Sequence, residues 1–238
     1  MGRGQLLLAD CGNQRLKLVA ESLHEVFVFR WRELSERERL VEFLEQQSVS
    51  GVRLASSSTE GRTALMELGL HAVEVKDVHP KEIPLDIQTT GTGIDRLLAS
   101  WYAHQKSGGA VVVADCGTAF TLDVVDAHGR FLGGAIGAGL GTQQQALAAA
   151  CPHLDAPNQV LSGIPADTAS AVAAGTRRAF VIALRGLAEE FLTDIDLGEH
   201  DAAKAFFTGG DAESIRALLP EWECEEHMVL KGLAALPQ

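Results

Sequence analysis

The sequence predicts an α/β protein built from two duplicated halves, and three observations carry that prediction. An apolar run followed by Ala-Asp-Cys-Gly and a small polar residue occurs twice, as Leu6-Leu7-Leu8-Ala9-Asp10-Cys11-Gly12-Asn13 and as Val111-Val112-Val113-Ala114-Asp115-Cys116-Gly117-Thr118, 105 residues apart. Each copy is followed by a second strand-like run, at 16–20 and at 120–125. Strand-like and helix-like segments then alternate along the rest of the chain, the pattern of α/β rather than all-α or sandwich folds. Asp-x-Gly turns also recur by chance. Here four identical residues follow matched apolar runs, which favours duplication. Each copy reads as a buried strand, a carboxylate at its end, a glycine turn and a return strand. The glycine lets backbone approach a ligand and the small polar residue adds a donor. Two such hairpins suggest a nucleotide held in a cleft between the halves. Asp10 and Asp115 would then lie within roughly 10 Å, a gap for cations, water and phosphate.

The remaining elements follow in order. Ser35-Glu-Arg-Glu38 has the form of a capping box and predicts a helix ending near Gln47. A strand is expected at 51–55, a helix at 59–68 and a strand at 70–75. Residues 79–92 read as a loop, with Pro80, Pro84 and the run Thr89-Thr90-Gly91-Thr92. A helix at 94–105 precedes a Ser107-Gly108-Gly109 linker. That gives domains of 1–107 and 108–238. In the second half a turn is expected at 126–129, a glycine-dense loop at 133–139 and a helix at 140–150. A long helical stretch over 166–192 would bury Val172, Ala179, Ala183, Leu187 and Phe191 on one face. A strand at 203–207 ends in Thr208-Gly209-Gly210, and a helix at 211–219 would be capped by Asp211.

Composition narrows the function. Of 238 residues, 46% are apolar and 22% charged, which fits a folded domain and not a disordered chain. The net charge of −12 disfavours a general nucleic-acid binder, which needs a basic stripe. It leaves nucleotides open, because backbone N–H groups bind phosphate on an acidic protein. No apolar run reaches the roughly 18 residues of a membrane helix. Leu6-Leu7-Leu8 is cut off by Asp10, too soon for a signal peptide. The cysteines at 11, 116, 151 and 224 form no CxxC pair and read as reduced thiols of a cytoplasmic protein. The eight histidines show no ligand spacing.

These motifs, taken in order, resemble the type III pantothenate kinases. Asp10-Cys-Gly-Asn-Gln-Arg-Leu-Lys17 is similar to that family's D-x-G-N-[ST]-x-x-K opening, and Gly93-Ile94-Asp95-Arg96 to its G-x-D-R. Asp115-Cys-Gly-Thr-Ala-Phe-Thr121 with Gly133-Gly134-Ala-Ile136 resembles D-x-G-T-A-x-T followed by GG-x-I. Asp167-Thr168 with Gly175, Thr208-Gly209-Gly210 and Leu230-Lys231-Gly232-Leu233 resemble its later segments. The chain departs from the pattern at Gln14, where the family has Ser or Thr. It departs again at the loop 88–92, and at Ala138-Gly139, where the family has Pro-Gly. The resemblance implies two actin-like (ribonuclease H-like) domains of the sugar-kinase type with an ATP cleft between them. It also implies a homodimer that phosphorylates pantothenate with ATP, Mg²⁺ and a monovalent cation, K⁺ or NH₄⁺. It assigns nucleotide binding to Asp10, Cys11, Gly12, Asn13, Gln14, Arg15, Leu16, Lys17 and Thr118. Substrate binding falls to Gly93, Ile94, Asp95, Arg96 and Thr168, and the monovalent cation to Asp115.

The residue types suit that chemistry, since phosphoryl transfer needs positioning and charge stabilisation above all. Asp10 at a strand end can hold Mg²⁺ through water. Lys17 reads either as a cation aimed at phosphate or as a solvated lysine on the return strand. Asp95 reads as the base for a primary hydroxyl or as a plain helix N-terminal acid. In either case the helix dipole is expected to lower its pKa. Arg96 offers a bidentate contact to a carboxylate or phosphoryl group, or a surface ion pair. Gly209 and Gly210 would let a strand end approach the nucleoside. Trp101 and Tyr102 read as core or dimer packing. Two other functions fit the same residues: a non-catalytic regulatory relative, and a kinase of this fold for another small hydroxyl substrate. The presence of Asp10, Asp95 and Asp115 speaks against the first, and the loop 88–92 keeps the second open.

Overall fold

Both Ala-Asp-Cys-Gly runs end central strands in the computed structural model, which describes residues 5–20, 25–47, 49–67, 74–154, 163–195, 197 and 202–237. Two compact units are present. The first comprises Met1–Pro84, Gly91–Tyr102 and Met228–Gln238, the second Leu85–Thr90 and Ala103–His227. The sequence reading places one divide at 107/108; the contacts group the C-terminal segment with the first unit.

The first unit holds a five-stranded sheet. Its strands are β1 (Gln5–Cys11), β2 (Leu16–Ala20), β3 (Val26–Phe29), β4 (Val49–Ser56) and β5 (Glu74–Asp77), in the order β3-β2-β1-β4-β5. β1, β2 and β3 form an antiparallel meander, and β4 and β5 add in parallel on the other side of β1. The second unit has β7 (Val111–Cys116), β8 (Ala119–Val125), β9 (Arg130–Ala138), β10 (Lys204–Thr208), β11 (Glu223–Cys224) and β6 (Asp86–Ile87). Its order is β11-β10-β7-β8-β9-β6. Without β6 this is the first sheet over again: a meander β7-β8-β9, with β10 and β11 parallel beside β7. The repeat in the sequence is therefore a repeat of topology, and each Asp sits at the carboxyl end of the central strand.

Each unit packs its own core. Leu7, Ala9, Cys11, Leu16 and Leu18 from the first hairpin meet Phe29, Trp31, Leu40, Leu54 and Leu65. Val112, Ala114, Cys116 and Leu122 from the second meet Leu140, Phe180, Leu184, Phe207 and Ile215. The helices α1 (Leu34–Gln46), α2 (Thr59–Glu67), α3 (Ile94–Ser107) and α4 (Leu140–Ala150) lie where the sequence places them. Of the strand expected at 70–75, residues 70–73 lie outside the described residues; β5 runs on to Asp77. Residues 79–92 are not all loop, since Pro80–Glu82 forms a 3₁₀ turn and Asp86–Ile87 pairs with β9. No helix among the described residues is long and apolar enough to cross a membrane.

Four local expectations are corrected. Ser35 does not cap α1; the cap is Glu33, with no side-chain bond, and Ser35 lies inside the helix. The glycine-dense 133–139 segment is most of strand β9, not a loop. It pairs with β8 along its length, so closely that a Cβ on Gly134 would meet Leu122 O, and this ladder outweighs the weak strand propensity of glycine. Third, α5 (Thr168–Ala173) and α6 (Ala179–Leu192) are joined by a π turn at Ala174–Arg178. The extra residue of that turn moves the buried face on by one. Val172, Phe180, Val181, Leu184 and Ala188 are buried and Leu187 and Phe191 pack partly buried against the core, while Ala179 and Ala183 face solvent. Fourth, Asp211 makes no side-chain cap on α7 (Ala212–Ile215), which passes into a 3₁₀ turn at Arg216–Leu218.

Candidate active site

In the first unit the site grows from the carboxyl ends of β1 and β4. In open α/β sheets this is where ligands bind. The β1–β2 turn is closed by Gly12 N–H donating to Arg15 O at 3.0 Å, which leaves Asn13, Gln14 and Arg15 exposed at its tip. Cys11 and Leu16 point the other way, into the core, so only their backbone can reach a ligand. Burial, with Asp10 beside it, pushes the Cys11 thiol up to about 12, which makes it inert as a nucleophile. Asp10 is buried, and its Oδ2 accepts from Lys17 Nζ at 3.0 Å, across the pair where Asp10 and Lys17 face each other. Lys17 is thus turned toward the carboxylate end of β1, not out to solvent alone.

Asp95 enters the same neighbourhood from the first turn of α3. Its Oδ1 accepts from Arg96 N–H at 2.9 Å, and the side chain folds back over Gly93, where a Cβ would stand 2.5 Å from Oδ1. Its pKa is raised, not lowered as the helix-dipole expectation has it. Burial of the carboxyl is the main cause, and the nearby charge of Asp10 adds to it; hydrogen bonds from Arg96 N–H and the Ser57 hydroxyl oppose but do not cancel it. Asp10 and Asp95 are therefore brought together, with Ser57 beside them. Ser57 follows β4, and its own N–H donates to Cys11 O at 3.1 Å. No local pattern marked Ser57; only the parallel pairing of β1 with β4 brings it here.

In the second unit Asp115 occupies the equivalent strand end, opposite Thr121. Gly209, at φ +101°, abuts it: a Cβ there would stand 2.5 Å from Asp115 Oδ1 and 2.4 Å from Cys116 O. Thr118 lies exposed in the β7–β8 turn, and its carbonyl accepts from Gly139 N–H at 3.0 Å and Thr142 Oγ1 at 2.6 Å. Asp211 reaches α4 instead of its own helix. Its Oδ2 accepts from Gly141 N–H at 3.1 Å, and its own N–H donates to Cys116 O at 2.9 Å. Thr168 is exposed at the start of α5, behind a capping box of Asp167 and Ser170. Burial pushes the Cys116 thiol up as well, and all four cysteines are free.

Comparison with known proteins adds to this geometry. The model of the type III pantothenate kinase family matches residues 6–190. A type III pantothenate kinase of Synechococcus elongatus is 34% identical over 163 residues, covering 66% of this chain and 64% of that protein. The match thus spans just under two thirds of that relative's length. A solved structure titled as a conserved putative Baf family transcriptional activator from Campylobacter jejuni superposes with a TM-score of 0.68, at 21% identity. It covers 95% of this chain and 94% of that one. The archaeal actin homologue Ta0583 superposes with a TM-score of 0.54 at 7% identity, over 97% of this chain and 98% of that one. These two likenesses are of fold, and the fold is actin-like.

Proposed function

The chain belongs to the type III pantothenate kinase family, and from that premise we propose that it moves the γ-phosphoryl group of ATP onto the primary hydroxyl of pantothenate. The product is 4′-phosphopantothenate, on the way to coenzyme A. The observation that carries this reading is the Asp95 carboxyl, recessed over Gly93 and in the field of Asp10 at the end of the sheet. A carboxylate held there with a raised pKa is a better proton acceptor than a free one when a hydroxyl is aligned on it. Asp95 takes the hydroxyl proton as the oxygen attacks, and Arg96 binds the substrate carboxylate. Thr168 contacts the substrate and Thr118 the nucleotide. Asn13 and the amides around it face the phosphates.

Asp10 and Asp95 form an oxygen-donor pair whose mutual repulsion a hard cation relieves. Asp10 would hold Mg²⁺ through water, where the ion would neutralise phosphate charge. Asp115 would hold K⁺ or NH₄⁺. In the working enzyme we place this chain as a cytoplasmic homodimer. A second reading, a kinase of this fold for another small hydroxyl acceptor, draws on one feature, the divergent loop Gln88-Thr89-Thr90-Gly91-Thr92.

The test is coupled ADP release with pantothenate, with and without K⁺ or NH₄⁺. Release that needs pantothenate supports the proposal; release only with another hydroxyl acceptor supports the second reading. Two variants sharpen it. Asp115→Ala should lose activation by K⁺ or NH₄⁺, whereas the wild type should be nearly inactive in Na⁺ or Tris alone. Full wild-type activity without either ion removes the reason for the Asp115 assignment. Gly93→Ala puts a Cβ in the space of Asp95 Oδ1. The carboxylate is the end free to swing away, so turnover should fall by about 10²-fold while the melting temperature hardly moves. Normal turnover in this variant would separate the position of Asp95 from catalysis.

A further inference from the structure

Trp31 follows β3, is 3% exposed, and donates its indole Nε1–H to Gly12 O at 3.0 Å. Its ring packs against α2, where a Cβ on Gly61 would stand 3.1 Å from it. Arg32 lies over that ring, 4.3 Å from its centroid, donates through Nε to Asn13 O at 3.1 Å, and pairs with Glu60 of α2 at 2.7 Å. Two successive carbonyls of the β1–β2 turn are thus pinned by neighbouring side chains that are themselves braced on one helix.

This arrangement has a consequence for the amides. In a trans peptide unit the C=O and the following N–H lie in one plane and point opposite ways. Holding Gly12 O on Trp31 therefore turns Asn13 N–H away from the indole, and holding Asn13 O on Arg32 turns Gln14 N–H away from the guanidinium. Among the described residues neither N–H finds an acceptor. A buried indole N–H needs a partner, so the bond to Gly12 O persists without a ligand.

We propose that Trp31, backed by Arg32, is a positioning residue that presets the Asn13 and Gln14 amides as donors to the phosphate chain of a nucleoside polyphosphate. The inference rests on the kinase reading above and deepens it. Preset donors pay no reorganisation on binding, so their loss weakens ligands that carry phosphates and spares the nucleoside alone.

The experiment measures affinity of the full chain for MgADP by calorimetry and for adenosine by ligand-observed NMR, in wild type, Trp31→Phe and Arg32→Ala. Trp31→Phe keeps an aromatic ring and removes the donor. Arg32→Ala acts at a half-exposed side chain and leaves the core intact. Both should weaken MgADP, Trp31→Phe by about tenfold, the scale of one hydrogen bond. Adenosine affinity should stay within about twofold in both, since only phosphate donors are disturbed. Unchanged MgADP affinity in both variants, or an equal loss for MgADP and adenosine, overturns the positioning role and leaves the kinase reading standing. A wild-type chain that binds no MgADP overturns the kinase reading and this inference together.

Discussion

Asp95→Asn is expected to lower turnover on the true acceptor by roughly 10²–10⁴-fold, the range for loss of a positioned general base. ATP binding should be nearly intact. The same substitution should make the protein more stable. Burial and the charge of Asp10 raise the Asp95 pKa above its ordinary 3.8. The native state then keeps this proton at pH values where the unfolded chain has lost it. Stability therefore falls as pH rises from the unfolded-chain value through the native one. At neutral pH the ionised carboxylate is a cost that Asn does not carry. Without Mg²⁺ and nucleotide, Asp95→Asn should melt above wild type at pH 7. The gain should vanish at pH values below the ordinary carboxylate range. In kinetics, kcat/KM should rise with pH along a limb sited above that range, and the variant should lack the limb. Near-normal kcat in Asp95→Asn would show that another group takes the proton.

Gly209→Ala is expected to damage stability and activity together. The backbone there sits at φ +101°, a region that favours glycine, and a Cβ would meet the Cys116 carbonyl at 2.4 Å and Asp115 Oδ1 at 2.5 Å. Backbone strain and overpacking each cost ~1–3 kcal/mol, so a loss of about 3 kcal/mol is expected. For this length that is a fall in melting temperature of roughly 6–10 °C. What can yield is the Asp115 carboxylate, and its displacement should impair whatever Asp115 binds. Gly186→Ala is the control. A Cβ there meets open space inside α6, so the variant should melt with wild type or slightly above it. Equal melting of Gly209→Ala and wild type would mean that β10 and β7 do not approach so closely in solution.

Much of this was legible in the sequence because it was local and repeated. The two Ala-Asp-Cys-Gly runs fixed the central strands, and the sheets around them share one strand order. What escaped depended on contacts that local patterns do not show. Strand β9 looked like a loop because its ladder partner β8, adjacent in the chain but invisible to propensity, supplies what its glycines lack. The buried face of α5 and α6 shifted because a π turn leaves no mark that a 3.6-residue period detects. Asp211 has the form of a helix cap and instead holds α4, whose own cap, Gly139, has no side chain to offer. The Asp95 pKa was misread because the helix dipole is visible in sequence, whereas burial and the proximity of Asp10 are not. Trp31 and Ser57 carry no motif at all; they matter through contacts with Gly12 O, Cys11 O and Asp95.

The central claim is that Asp95, beside Asp10 at the end of the first sheet, serves phosphoryl transfer to pantothenate. Its most direct test follows γ-labelled ATP and pantothenate in K⁺ by mass spectrometry, with wild type and Asp95→Asn in parallel. One labelled phosphoryl group is expected on the pantothenate hydroxyl, formed by the wild type and all but absent with the variant. Unmodified pantothenate in a reaction where wild type consumes ATP, or equal product from both proteins, would contradict it.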